Sequence, residues 1–284
     1  MKVKEVLDKT IQFFREKKME QARFEAEWLI GAGLGLDRVQ LYMKYDQPLK
    51  ENEIVKLREF VKRRVQGEPL AYIAGVKGFY GFDFIVNKDV LIPRPETETL
   101  VEKALDFIKL KSLSAPKIID LGTGSGCVGL TLAKKISGAT VTLLDISPAA
   151  LLVARQNAEN LKILDRVSFI ESDAAEFLKG TDETFDLILA NPPYISPDDK
   201  QVDDHVRKFE PNLAIFADSG TLLLKTWSEK AQGKLKSPGL MLMEMGHDQG
   251  EEMKTWFESF HFFSQVQVIQ DLSKNDRVIL GERN

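Results

Sequence analysis

Asn191-Pro192-Pro193-Tyr194 follows directly on the apolar run Phe185-Asp186-Leu187-Ile188-Leu189-Ala190, which reads as a buried strand. Two prolines fix φ twice and remove two N–H donors. What remains at the strand's end is a stiff turn with outward carbonyls, an amide side chain and a phenol ring. Such a turn suits a planar –NH2 group. Asn191 and the carbonyl of Pro192 accept its two hydrogens, and the ring of Tyr194 covers its face. The plainer reading is a turn that merely stops a strand, as proline often does.

A second stretch has chemistry of its own. Ile118-Ile119-Asp120-Leu121 reads as a buried strand, and it runs into Gly122-Thr123-Gly124-Ser125-Gly126-Cys127 and then a helix. Glycines at alternate positions permit positive φ and let a ligand touch the backbone. The helix start adds free N–H groups and a positive dipole end. Asp145 ends the next strand about 20 residues on, where a carboxylate accepts from ribose hydroxyls. Gly124-Ser125-Gly126-Cys127-Val128-Gly129 also satisfies the dinucleotide pattern G-x-G-x-x-G, so a NAD-binding oxidoreductase stays open as a rival. Three features favour S-adenosylmethionine instead. Asp120 precedes the glycines and suits a ligand ammonium. Ser172-Asp173 follows the third strand, where an adenine would lie. The Asn-Pro-Pro-Tyr turn follows the fourth strand, on the edge where open α/β sheets bind ligands. Cys127 reads as a small packing residue, since it has no evident basic partner.

These motifs need a frame. Residues 1 to about 66 read as helical, with stripes Val3, Leu7, Ile11, Phe14 and Ile54, Leu57, Phe60, Val61, Val65. Gly67-Glu68-Pro69 ends that segment. Phe79 to Val86, aromatic and β-branched around Gly81, reads as part of a hairpin. Leu100, Val101, Ala104, Leu105 and Ile108 mark an amphipathic helix. Beyond it, strand-like runs alternate with helical ones: Lys117–Leu121, Thr140–Asp145, Val167–Ile170, Phe185–Ala190, Leu240–Glu244, Val266–Gln270 and Val278–Gly281. The alternation predicts an α/β fold, a mostly parallel doubly wound sheet with helices on both faces. The last two runs lie too close for a long helix between them, which predicts an antiparallel pair at one edge.

The 284 residues suggest one large domain or a large and a small one. The net charge of −4 argues against broad phosphate-backbone binding. Lys56, Arg58, Lys62, Arg63 and Arg64 share one predicted helix and read as a solvated face. No apolar run approaches the ~18–20 residues of a membrane helix, and the N-terminus lacks a signal-peptide core. The single Cys127 fits a reducing cytoplasm. His205, His247 and His261 are scattered and make no metal set. Trp28, Trp227 and Trp256 fall in predicted helices and read as packing residues.

The chain resembles the HemK/PrmC family over nearly its whole length. Ala26-Glu27-Trp28-Leu29, Gly67-Glu68-Pro69-Leu70-Ala71-Tyr72-Ile73, Leu91-Ile92-Pro93-Arg94-Pro95-Glu96-Thr97-Glu98, the glycine loop, the Asn-Pro-Pro-Tyr turn, Glu210-Pro211, Glu244-Met245-Gly246 and Asp276-Arg277-Val278 carry the likeness. The turn alone is shared with adenine-N6 and guanine-N2 nucleic-acid methyltransferases; the Pro-Arg-Pro-Glu-Thr-Glu stretch is more discriminating. The resemblance implies a class I S-adenosylmethionine-dependent methyltransferase with a seven-stranded sheet. Its expected substrate is the glutamine side-chain amide in the Gly-Gly-Gln motif of peptide-chain release factors. It implies a helical domain over residues 1–70 that docks the partner, a β-hairpin linker over 71–98 and a methyltransferase domain over 99–284. The expected cofactor-binding set is Asp120, Gly122, Thr123, Gly124, Ser125, Gly126, Asp145, Asp173, Ala174 and Asn191. The expected substrate-binding set is Asn191, Pro192, Pro193 and Tyr194, of which Asn191, Pro192 and Tyr194 act in catalysis. Two departures stand out. Ala174 stands where some relatives stack an aromatic ring on adenine, with Phe177 as a candidate substitute. Ala217-Asp218-Ser219-Gly220 replaces a glycine pair followed by Asp-Gly. A nucleic-acid base amino-methyltransferase is the alternative activity, disfavoured by the net charge.

Overall fold

Apolar spacing sets the helices of the N-terminal unit. The computed structural model describes residues 1–199, 202–217 and 220–284. In α1 (Val3–Glu16), Val3, Val6, Leu7, Thr10 and Phe14 share one buried face. α2 (Ala22–Leu34) buries Ala26, Leu29 and Ile30 and stops at Gly35, which takes the left-handed conformation at φ +67°. α3 (Arg38–Met43) is too short for periodicity to reveal. It starts at a capping box, in which Asp37 accepts from the Gln40 backbone and Gln40 accepts from the Asp37 backbone. α4 (Glu51–Val65) and α5 (Leu70–Ala74) complete a unit that spans Met1–Val76, with Ile73 inside its apolar cluster. On α4, Arg63 pairs with Glu68 and Arg64 with Glu25, so those two cations are already neutralised within the unit.

The second unit spans Lys77–Asn284. Its hairpin, β1 (Val76–Phe79) and β2 (Phe82–Ile85), turns at Tyr80 and Gly81, both at positive φ, as a two-residue loop requires. α6 (Glu98–Leu110) follows a short 3-10 turn at Pro95–Thr97. Strand and helix then alternate through β3 (Lys117–Leu121), α7 (Cys127–Lys135), β4 (Thr140–Asp145), α8 (Pro148–Asn160), β5 (Val167–Glu171), α9 (Ala174–Gly180) and β6 (Phe185–Ala190). The chain continues through α10 (Asp204–Phe209), α11 (Leu222–Ala231), β7 (Leu235–Glu244), α12 (Gly250–Glu258), β8 (Gln265–Gln270) and β9 (Asp276–Arg283).

Among the described residues, seven strands make one sheet in the order β5-β4-β3-β6-β7-β9-β8. β3 through β7 are parallel, and β9 runs antiparallel to both β7 and β8. The antiparallel edge pair is therefore present, with β9 placed inside β8. β7 begins at Leu235, ahead of its apolar run, because Leu235 already pairs with Phe185 before a register irregularity. Successive strand residues feed opposite faces. Ile118, Leu187 and Leu189 pack under α6, α7 and α8, while Ile119, Ile188 and Ala190 pack under α11 and α12. Chain direction along the sheet reverses between β3 and β6, and the cleft beyond the strand ends at that switch point is where such sheets bind ligands.

Candidate active site

A cavity of about 230 Å³ opens at the carboxyl ends of β3, β4, β5 and β6. One half of its wall is backbone. Gly122, Gly124 and Gly126 all lie at positive φ, at +66°, +54° and +80°. At Gly124 a Cβ would meet nothing, so its role is to turn the chain and present its N–H, which Asp145 Oδ2 accepts at 2.8 Å. At Gly126 a Cβ would come within 2.7 Å of Leu130, so only glycine lets α7 start this close to the loop. Asp145 Oδ1 accepts from the Ser147 backbone at 2.9 Å. Burial raises the affinity of Asp145 for protons, and the backbone donors of Ser147, Gly124 and Ile146 oppose that.

Asp120 closes the loop from beneath. Its Oδ2 accepts from Thr123 Oγ1 at 2.7 Å and from the Gly129 backbone at 3.0 Å. Burial pushes its carboxyl up to about 6 against those two hydrogen bonds. Asn157, buried on α8, donates to the Ser125 carbonyl and the Ile85 carbonyl and accepts from the Ile85 backbone. The hairpin is thereby tied to the loop.

Asp120, Gly122, Thr123, Gly124, Ser125, Asp145, Asp173, Ala174, Asn191 and Pro193 all line this cavity. Gly126 does not; it acts through α7. Asp173 caps α9 by accepting from the Ala175 and Glu176 backbones while its residue stays on the wall. Phe177 lies off the wall, packed against the apolar cluster on one face of the sheet, so it does not replace the aromatic ring missing at Ala174. Asp218 and Ser219 of the second departure lie outside the described residues. Cys127 is on the wall, but burial pushes its thiol up to about 12, which leaves it protonated and unreactive.

The other half of the wall is built from side chains. Asn191 Nδ2 donates to Thr97 Oγ1 at 3.2 Å. The Tyr194 hydroxyl donates to Glu244 Oε1 at 3.0 Å, and Gln249 Nε2 donates to the Tyr194 carbonyl at 3.2 Å. Pro192 is buried between two wall residues, and the Tyr194 ring is half-buried against the apolar cluster under α11 and α12. Neither Pro192 nor Tyr194 contributes to the cavity wall. Tyr194 thus faces the core, drawn there by Glu244, where the sequence suggests a ring open to a ligand.

Three residues gain importance from the structure. Arg94 lines the cavity and pairs with buried Glu210, which also accepts from the Ile92 backbone at 3.1 Å. Glu96, two residues on, is exposed. Thr97, from the same stretch, holds the Asn191 amide. Trp227 reads from sequence as a packing residue, yet it lines the cavity, with its ring edge 3.2 Å from where a Cβ on Gly122 would sit. Its helix placement was legible; the side of the glycine loop it meets was not.

Two family descriptions match the chain: the PrmC N-terminal domain over residues 5–75 and a methyltransferase domain over residues 112–277. A release factor glutamine methyltransferase of Chlorobaculum tepidum is 41% identical, covering 97% of this chain and 95% of that protein. One from Rhodopirellula baltica is 37% identical over 98% of this chain and 95% of its own. The chain belongs to the release factor glutamine methyltransferase family. A solved hMettl16 catalytic domain, in complex with a MAT2A 3'UTR hairpin, is 14% identical with a TM-score of 0.55 and covers 82% of each chain, a likeness of fold alone. In this family member the fold is that of class I methyltransferases. No helix among the described residues is long and apolar enough to cross a membrane.

Proposed function

We propose that this chain transfers a methyl group from S-adenosylmethionine to the side-chain amide nitrogen of the glutamine in the Gly-Gly-Gln motif of peptide-chain release factors. The observation that carries the reading is the Asn191 side chain on the cavity wall, oriented by Thr97, beside a glycine loop and the Asp145 carboxylate. The donor's expected groups find partners of the right kind here. Backbone N–H groups at the start of α7 suit its carboxylate, Asp120 its ammonium and Asp145 its ribose hydroxyls. S-adenosylmethionine, when bound, supplies an electrophilic methyl on a sulfonium.

An amide nitrogen is a poor nucleophile, because its lone pair is delocalised into the carbonyl; the ~18–20 kcal/mol barrier to rotation measures that delocalisation. The protein's task is to hold the –NH2 group, aim it and exclude water. Asn191 Oδ1, on the cavity wall, takes one N–H. That acceptor binds more strongly as positive charge grows on nitrogen, so it favours the transition state. Tyr194 anchors the turn from behind. Much of the acceleration is alignment of two bound reactants. The N-protonated amide is strongly acidic after transfer and loses its proton to solvent as the product leaves, so no side chain serves as base.

The helical unit over residues 1–70 docks the release factor in this reading, residues 71–98 link the two parts and 99–284 perform the transfer. The partner is cytoplasmic translation machinery, and so is the enzyme's setting; neither membrane nor nucleic acid is a substrate. The test is incubation with labelled S-adenosylmethionine and either purified release factor or nucleic acid. Label on the Gly-Gly-Gln glutamine supports the reading. Label on nucleic acid with none on release factor overturns it.

A further inference from the structure

Arg94 stands between Pro93 and Pro95. Neither neighbour has an N–H to give, and a residue ahead of proline is held extended. Arg94 accordingly takes φ −98° and ψ 146°. The backbone here is stiff, and Glu210 fixes the side chain. Its carboxylate, 2% exposed, accepts from the Arg94 guanidinium with Oε1 and from the Ile92 backbone with Oε2 at 3.1 Å. A buried carboxylate calls for such a cation. One ion pair thus ties the stretch ahead of α6 to the end of α10, 116 residues along the chain. Both stretches line the cavity, the first with Val90, Leu91 and Pro93, the second with Pro211 and Leu213.

The guanidinium has donors left over. It carries five N–H groups, and among the described residues only Glu210 accepts from it. The side chain is 36% exposed and lies on the cavity wall. Anchored at one edge, it offers its remaining N–H groups to a ligand. The ion pair is neutral as a whole, which suits an uncharged carbonyl better than an anion. Its position agrees. Thr97, three residues on, accepts from Asn191 Nδ2 at 3.2 Å. Three residues span about 10 Å at full extension, so one short peptide can meet both Arg94 and Asn191. The substrate proposed above places two glycines before the glutamine. Glycine has no side chain, so a protein reads it through its main-chain N–H and C=O groups.

We propose that Arg94 is a specificity-determining residue: held by Glu210, its guanidinium donates to a main-chain carbonyl of the Gly-Gly pair while Asn191 holds the glutamine amide. The proposal rests on the reading of the site as one that methylates the Gly-Gly-Gln glutamine.

The test is steady-state kinetics on release factor with Arg94→Lys. Lysine keeps a positive charge for Glu210, but its one nitrogen, drawn to that carboxylate, no longer spreads donors toward the cavity. The expected result is a rise in KM for release factor on the order of 10-fold, the scale of one lost hydrogen bond from a charged donor, with kcat falling less. S-adenosylmethionine affinity, by titration calorimetry, and melting temperature stay near those of the parent. An Arg94 that only ties the two stretches together is replaced by Lys without loss, so a parent-like KM overturns the proposal. A loss of S-adenosylmethionine affinity as large as the rise in KM also overturns it, since the guanidinium would then serve the cofactor. Should Arg94→Lys fail to fold, the double variant Arg94→Met with Glu210→Met decides, because apolar side chains of similar volume often replace a buried ion pair without loss of stability. Its KM should rise as far, and an unchanged KM overturns the proposal. The parent enzyme, run alongside, separates the two levels. A parent that labels release factor beside an unimpaired Arg94→Lys sinks only this proposal. A parent that never labels release factor sinks the reading beneath it.

Discussion

The two halves of the cavity are held by different means. The glycine-loop half is local: Asp120, Thr123, Gly124, Gly126 and Asp145 come from adjoining strand ends and bind one another mainly through backbone N–H groups. The Asn191 half is assembled by side chains brought from far along the chain, with Thr97 from the turn before α6, Glu244 from the end of β7 and Gln249 beyond it. The first half is a binding device whose geometry is set by φ angles. The second is an orienting device whose geometry is set by which group donates and which accepts. Damage to the first should appear as lost cofactor affinity, and damage to the second as lost turnover.

The largest expected effect tests the second half. Asn191→Ala should lower kcat by at least on the order of 100-fold while leaving S-adenosylmethionine affinity, measured by titration calorimetry, near that of the parent. Turnover within a few-fold of the parent would break the division. Next, Asp145→Ala should weaken S-adenosylmethionine binding by roughly 10-fold or more, on the scale of one lost charge-assisted hydrogen bond at about 1.5–3 kcal/mol. Unchanged affinity in the same calorimetry would remove Asp145 from the binding half.

Asn157→Leu sharpens the comparison further. The variant leaves the Ser125 and Ile85 carbonyls and the Ile85 N–H without their buried partner. A loss of about 1–3 kcal/mol in chemical denaturation is expected, with cofactor affinity falling more than kcat at saturating cofactor. Equal stability to the parent would show that the hairpin does not brace the loop.

The smallest effect is a pH dependence. Burial raises the Asp120 carboxyl from its ordinary value of 3.8 to about 6. Between those values the folded protein binds more protons there than the unfolded chain, so this group's contribution to stability falls as pH rises through the window. Cofactor affinity should move the other way. It rises as Asp120 ionises near pH 6 and can attract an ammonium. Asp120→Asn should flatten both trends, and a binding curve with the same pH profile in variant and parent would contradict this assignment.

The same contrast explains what could be read from the chain. Asp120 to Cys127, Asp145 and Asn191 to Tyr194 are contiguous signals on strand ends, and strand alternation is enough to bring those ends to one edge. The antiparallel edge pair was legible from spacing alone. Thr97 was visible inside its motif, but its partner was not, since the Thr97–Asn191 bond spans 94 residues. Glu244 was visible beside Met245-Gly246 but gains its meaning only from the β6–β7 register. Tyr194 was read as facing a ligand because the turn's stiffness is local, whereas the pull of Glu244 on its hydroxyl is not. α3 leaves no signature in the sequence because six residues, fewer than two turns, carry no period.

The central claim is that Asn191 grips a glutamine amide beside a methyl donor. Mass spectrometry of the Gly-Gly-Gln peptide, after release factor is incubated with S-adenosylmethionine and either the parent or Asn191→Ala, tests it most directly. The account predicts a single added methyl on the glutamine side chain with the parent and none above background with the variant. A methyl placed on any other residue, or equal methylation by both proteins, would contradict it.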